Sequence, residues 1–211
     1  MIAVEVARSS RHSQRGERAT HKMPLPFSAV LLAAGLSTRM GRDKALLVGS
    51  DGRPLWERQR EVLAQAGAAE ILYSVRPDQT WIPREPALGL VHDVEPGCGP
   101  LGGIAAALGR ASHPHLAVLA IDLPCMTSEW FSALMVDCAP AVGAVGRRGG
   151  FFEPLAAVYP REILPLARAA LSARDFSLQH LVVDAVAQGL MRAREISSGD
   201  APLFENWNEP A

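Results

Sequence analysis

Three cations, Arg39, Arg42 and Lys44, fall within six consecutive residues of the stretch LLAAGLSTRMGRDKALL, residues 31–47. Arginine offers a flat fork that grips two phosphate oxygens at once, and lysine a compact point charge. Just upstream, Ala33, Ala34 and Gly35 are small enough for a ligand to approach the backbone, whose N–H groups can cradle an anion. Small residues followed by cations are what a triphosphate requires. Two acids extend the pattern, Asp93 in VHDVEPGCGPLGG and Asp122 in AIDLP. A carboxylate in such company suits Mg²⁺, a hard cation held by one or two carboxylates together with substrate phosphates. The segment GCGPLGG, 97–103, is a second small-residue loop, suited to close contact with a nucleobase or ribose. Each piece also has a plainer reading. The first loop can be a glycine-containing connection with solvated charges, Asp122 can cap the turn before Pro124, and GCGPLGG can be turn punctuation.

Two familiar phosphate loops are excluded by spacing. Gly35 and Gly41 are separated by five residues and Lys44 lies three past Gly41, so the G-x-x-x-x-G-K-[ST] pattern is absent, as is G-x-G-x-x-G.

The positions of these residues depend on the elements around them. SAVLLAA, 28–34, is a continuous apolar run ending in glycine, as expected of a strand buried on both faces of a parallel sheet. Asp51-Gly52 marks a turn, Pro54 suits a first helical position, and the apolar residues after it predict a helix over 54–66 stopped by Gly67. EILYSV (70–75), LGLVHD (88–93) and LAVLAID (116–122) read as further strands. Helices are expected at 101–111, at 127–138 with Thr127 as N-cap, and around 160–173 and 176–188. AVGAVGR and FFEPLAAVY flank the turn RGG and can pair, and MRAREIS is a candidate last strand. Alternating apolar strands and helices imply a three-layer α/β sandwich with a mainly parallel, Rossmann-like sheet. Ligands of such sheets bind at the carboxyl ends of the strands, the edge where the cationic loop and the Asp122 loop both fall.

The bulk numbers narrow the classes. The 211 residues are 48% hydrophobic and 20% charged, with a net charge of -1. That balance gives no electrostatic case for nucleic acid or a membrane surface, and no apolar run approaches the ~20 residues of a membrane span. Cys98, Cys125 and Cys138 are odd in number and irregularly spaced, as expected of reduced thiols in a cytoplasmic protein. Residues 1–26 read as a disordered tail, polar and without a secretory apolar segment, ahead of one domain over 27–211. Met23 is an alternative natural start, which an intact terminus at Met1 in a mass spectrum excludes.

Several further residues have bland readings. His92 reads as packed or solvent-edge, Cys125 as structural, and Trp56, Trp81, Trp130 and Trp207 as anchors. Arg147 and Arg148 in GRRGG form either a clamp for an anionic second substrate or a solvated hairpin tip.

Taken together, LLAAGLSTRMGRDKALL, GPLGGI (99–104), IDLP (121–124), FEPLAAVY (152–159) and NWNEP (206–210) resemble, in order, the motifs of the MobA-like nucleotidyltransferases over about residues 27–211. That resemblance implies a fold of the nucleotide-diphospho-sugar transferase type. It also implies transfer of GMP from GTP to molybdopterin, with Mg²⁺ as cofactor and transient contact with proteins that make or accept the molybdenum cofactor. On the matched positions, Leu32, Ala33 and Ala34 line base and sugar, Gly35 also binds the nucleotide, Lys44 binds phosphate, Arg39 lies beside the triphosphate, and Asp93 contacts the nucleotide. Asp122 ligates Mg²⁺, and Asn206 and Asn208 lie near the metal and second substrate. The family's asparagine after the second strand is matched only by Ser74 or Arg76. Guanylyl members usually read L-A-G-G where this chain reads Leu32-Ala33-Ala34-Gly35, a form similar to the cytidylyl relatives. GPLGGI and NWNEP are similar to the guanylyl branch. CTP as nucleotide, a sugar phosphate as acceptor, and a non-catalytic nucleotide-binding regulatory module are the competing expectations.

Overall fold

All six positions of β1 (Phe27–Leu32) are buried, as are all six of β4 (His115–Ala120), because the two strands pair in parallel at the centre of a sheet covered on both faces. The computed structural model describes residues 25–35, 43–49, 51–79, 81, 89–92 and 97–206. Within them β2 (Glu70–Ser74) pairs in parallel with the other side of β1, and β3 (Gly89–Val91) lies outside β2. Beyond β4 the sheet continues through β6 (Phe151–Pro160), β5 (Gly143–Arg148) and β7 (Met191–Glu195), giving the order β3-β2-β1-β4-β6-β5-β7. Only β6 among these strands runs antiparallel to its neighbours.

Alternation along the strands separates two cores. Ala29 and Leu31 of β1 face one layer with Ala117 and Leu119 of β4, packed against Leu55 and Leu63 of α1 (Leu55–Gln65) and Trp130, Phe131 and Leu134 of α3 (Ser128–Asp137). Val30 and Leu32 face the other with Leu116 and Val118, against α2 (Gly99–Arg110), α4 (Leu164–Ser172) and α5 (Leu178–Ala187). This is the expected three-layer sandwich.

The differences from expectation lie at element ends. β1 stops at Leu32 and β4 at Ala120, although the next amides each make one more rung to the neighbouring strand: Ala33 N–H donates to the Ser74 carbonyl at 2.9 Å and Ile121 N–H to that of Leu32 at 3.0 Å. The third strand shortens to Gly89–Val91. Pro54 caps α1 rather than opening it: its ψ is 150°, and it bridges back to Val48. Thr127 is the N-cap of α3, though its side chain accepts no capping bond from a helix amide. Gly149 and Gly150 form the two-residue turn between β5 and β6 with φ of +56° and +88°, a left-handed pair that glycine adopts without strain.

At the opposite edge from the strands' carboxyl ends, Glu70 gathers the connection into β4. Its carboxylate accepts from the Ser28 hydroxyl at 2.6 Å and from the Ser112 amide at 2.8 Å. Partial burial pushes this carboxyl up, but those bonds, the Ser112 hydroxyl and the nearby His113 together outweigh burial and hold it below its ordinary value. Because the folded form binds this proton less tightly than the unfolded chain, the contribution is fully present above the unfolded pKa. It fades as pH falls through the folded one. Glu70→Gln is expected to lower Tm at pH 7 by about 3 °C, with the gap closing on acidification below about pH 4. Thermal melts of the two proteins from pH 7 to pH 3 check this; a gap that is constant with pH contradicts it.

Candidate active site

The chain order of the sheet reverses between β1 and β4: β1 leads outward to β2 and β3, and β4 leads to β6, β5 and β7. In open α/β sheets such a switch point leaves a crevice at the carboxyl ends of the strands. Leu32, Ala33, Ala34 and Gly35 leave β1 there. Leu32 and Ala33 are buried, Ala34 is half-buried and Gly35 exposed. Asp122 leaves β4 beside them, held by the Ile121–Leu32 hydrogen bond. It is half-buried, and its carboxylate has no hydrogen-bond or ion-pair partner among the described residues. The loop behind it is braced from α1, where buried Gln59 donates through Nε2 to the Leu123 carbonyl at 2.7 Å.

Lys44 reaches the same edge by a chain of side-chain bonds. It opens a 3-10 turn, Lys44–Leu46, capped by Asp43, whose Oδ1 accepts from the Ala45 amide at 3.1 Å. Asp43 Oδ2 accepts from Gln79 Nε2 at 2.5 Å, and the same nitrogen donates to the Ala33 carbonyl at 2.9 Å. Ala45 is fully buried against the core beneath. Lys44 is half-buried.

Of the two residues nearest the family's asparagine, Ser74 is buried under Gly103 of α2, while Arg76 extends over the edge and donates to the Ala34 and Gly35 carbonyls, each at 2.8 Å. Gly97 and Gly99 have φ of +88° and +60°, which accounts for two glycines of GCGPLGG. A Cβ on Gly103 would lie 2.5 Å from Ser74 Oγ and 3.2 Å from Leu32 Cδ2. Gly103→Ala gains helix propensity but must lift α2 from β1 and β2, and a net loss of about 1 kcal/mol is expected. Chemical denaturation measures it; a stabilised variant shows instead that α2 can shift at no cost.

Arg39, Asp93, Asn208 and Trp207 lie outside the described residues, as do residues 1–24, including Met23. Asn206 is exposed, two residues past Phe204, whose ring packs edge-on against Trp130 at 5.0 Å. Arg147 and Arg148, exposed at the end of β5, pair with Glu195 and Glu153 at 2.7 and 3.8 Å. His92 is exposed at the solvent edge, its Nδ1 2.9 Å from the Val75 carbonyl oxygen. Cys125 is exposed rather than packed, while Cys98 and Cys138 are buried. Trp130 is buried, and Trp56 and Trp81 are partly buried, their rings tilted by 39° with centroids 5.7 Å apart. Neither Ala34 nor Gly35 has a positive φ, so the alanine at 34 occupies a backbone that makes no demand for glycine.

No group of three metal-ligating side chains occurs among the described residues. A carboxylate without a partner among the described residues fits Mg²⁺, a hard cation that needs few protein ligands when substrate phosphates are present. No described helix is long and apolar enough to cross a membrane.

The sequence model of the MobA-like NTP transferase domain matches residues 29–187. The chain belongs to the MobA-like NTP transferase family. Among curated relatives of this NTP transferase, a probable molybdenum cofactor guanylyltransferase of Opitutus terrae is 39% identical over 187 residues, 87% of this chain and 91% of the relative. A molybdenum cofactor guanylyltransferase of Pseudomonas putida is 34% identical, over 88% of this chain and 94% of its own. Among solved structures, molybdopterin-guanine dinucleotide biosynthesis protein A of Archaeoglobus fulgidus aligns at a TM-score of 0.67 and 19% identity, covering 87% of this chain and 93% of that one. The 2-C-methyl-D-erythritol 4-phosphate cytidylyltransferase of Thermus thermophilus aligns at 0.64 and 18%, covering 88% and 94%. At these identities the likeness is one of fold, shared by proteins named for different bases.

Proposed function

We propose that this NTP transferase moves GMP from GTP to molybdopterin. The observation that carries the reading is the meeting, at one switch point, of a small-residue edge (Ala33–Gly35), a lysine tied to it (Lys44) and a carboxylate without a described protein partner (Asp122). The choice of guanine and of molybdopterin is supported by the two relatives named above.

In the reaction, a phosphate oxygen of molybdopterin attacks the α-phosphorus of GTP. A new P–O bond forms, the bond from α-phosphorus to the bridging oxygen breaks, and pyrophosphate leaves. No protein nucleophile is needed. Lys44 and Arg39 offset charge on the leaving pyrophosphate, the N–H groups of Ala34 and Gly35 face the phosphates, and Asp93 contacts the nucleotide. Asp122 would hold Mg²⁺, which when bound supplies charge neutralisation between two anionic reactants. Leu32 and Ala33 border the base and sugar, and Asn206 and Asn208 lie toward the second substrate. Residues 27–211 act as one domain in the cytoplasm, meeting the proteins that supply or receive the cofactor only transiently.

Incubation with GTP, Mg²⁺ and molybdopterin is expected to give a product whose mass equals molybdopterin plus one GMP unit. GTP binding without any product, whatever the acceptor, favours a regulatory module.

A further inference from the structure

The segment that follows β2 holds both flanks of the cationic loop at once. Arg76 Nη1 donates to the Ala34 and Gly35 carbonyls, each at 2.8 Å. Gln79 Nε2 donates to the Ala33 carbonyl at 2.9 Å and to Asp43 Oδ2 at 2.5 Å, and Trp81 Nε1 adds a second donor to that oxygen at 2.8 Å. The clamp is itself ordered. The Arg76 amide donates to Gln79 Oε1 at 2.7 Å, fixing which end of the Gln79 amide faces Ala33 and Asp43. Trp81 packs against Trp56 of α1, which meets Tyr73 of β2 edge-on at 6.5 Å.

The consequence follows from peptide geometry. In a trans peptide the C=O and the following N–H point to opposite sides. Drawing the carbonyls of Ala33 and Ala34 toward Gln79 and Arg76 turns the N–H groups of Ala34 and Gly35 away from them. Neither N–H has an acceptor among the described residues, whereas the preceding Ala33 amide still bonds to Ser74. On the far flank, Asp43 spends one oxygen on Gln79 and Trp81 and the other on the Ala45 amide, which sets the turn that Lys44 opens.

We propose that Arg76 and Gln79 are positioning residues for polyphosphate: they orient the Ala34 and Gly35 N–H groups and, through Asp43, place Lys44 against them. This rests on the reading of that edge as the nucleotide phosphate site. Arg76 Nε and Nη1 are engaged by Asp78 and by the two carbonyls, and both ends of the Gln79 amide by the protein, so their effect passes through the backbone and through Lys44.

The test is equilibrium binding of GTP, CTP and inorganic tripolyphosphate to the full chain by calorimetry, with melting temperature measured in parallel. Arg76→Ala and Gln79→Ala are each expected to weaken tripolyphosphate and the preferred nucleotide by about tenfold, at little change in Tm. The Gln79→Ala loss is expected to shrink to about twofold in a Lys44→Ala background, because Gln79 acts partly through Lys44. Arg76→Lys, which keeps the charge but not the paired geometry, is expected to recover little of the loss. Wild-type affinity in Arg76→Ala and Gln79→Ala, losses that only track a fall in Tm, or full additivity with Lys44→Ala overturn the proposal while leaving the guanylyl reading in place. Tripolyphosphate and CTP binding without GTP binding overturns the guanylyl reading and leaves the positioning role standing. A wild-type chain that binds none of the three overturns both.

Discussion

Asp122→Ala is expected to lower turnover by about 10³-fold or more while leaving the fold intact. The expectation rests on where Asp122 stands. β4 is buried throughout, but Asp122 lies beyond its last residue, on the edge, half-buried and without a described partner that its loss would strand. A surface substitution of that kind changes stability by about 0.5 kcal/mol or less. The loop does not depend on the carboxylate either, since the Ile121 amide, Gln59 and the turn bonds of Leu123 and Met126 hold it. The chemistry does depend on it. Two anionic phosphates must approach, and a metal-assisted neutralisation worth several kcal/mol to the transition state corresponds to about three decades in rate. Pyrophosphate release at saturating substrate and Mg²⁺, with a thermal melt alongside, checks both halves. A fully active Asp122→Ala protein removes the residue from the site.

Lys44→Ala is expected to reduce kcat/KM by about 10²-fold, with KM for the nucleotide raised and kcat lowered together. The ammonium would contact phosphate in the bound nucleotide and meet more charge as pyrophosphate departs, so it contributes to both quantities. The turn that carries it is set by other groups, with Asp43 as its cap and buried Ala45 as its anchor, so truncation is expected to leave the backbone where it was. Steady-state kinetics with varied nucleotide measure the split. Unchanged kcat and KM exclude Lys44 from the site, and a rise in KM alone confines it to ground-state binding.

The sheet was readable in the sequence because parallel strands covered on both faces become unbroken apolar runs, as SAVLLAA and LAVLAID do. The shared edge of the candidate site residues was readable for the same reason: once β1 and β4 are placed, the residues that follow them share one side of the sheet. The clamp was not readable. Gln79 meets Asp43 across 36 positions and Gln59 meets Leu123 across 64, and contacts at such separation leave no local period. Nothing in the local sequence separates Asp43 from the cations beside it, yet its carboxylate is consumed by Ala45, Gln79 and Trp81. Ser74 and Arg76 could not be told apart by position along the chain. They separate only when α2 packs Gly103 over Ser74 and leaves Arg76 on the edge.

The reading as a guanylyltransferase is tested most directly by a pyrophosphate-release screen of GTP, CTP, ATP and UTP, each with and without molybdopterin, in the presence of Mg²⁺. Release is expected only when GTP and molybdopterin are present together. Release from CTP and molybdopterin with GTP inert contradicts it and places the chain with the cytidylyl branch.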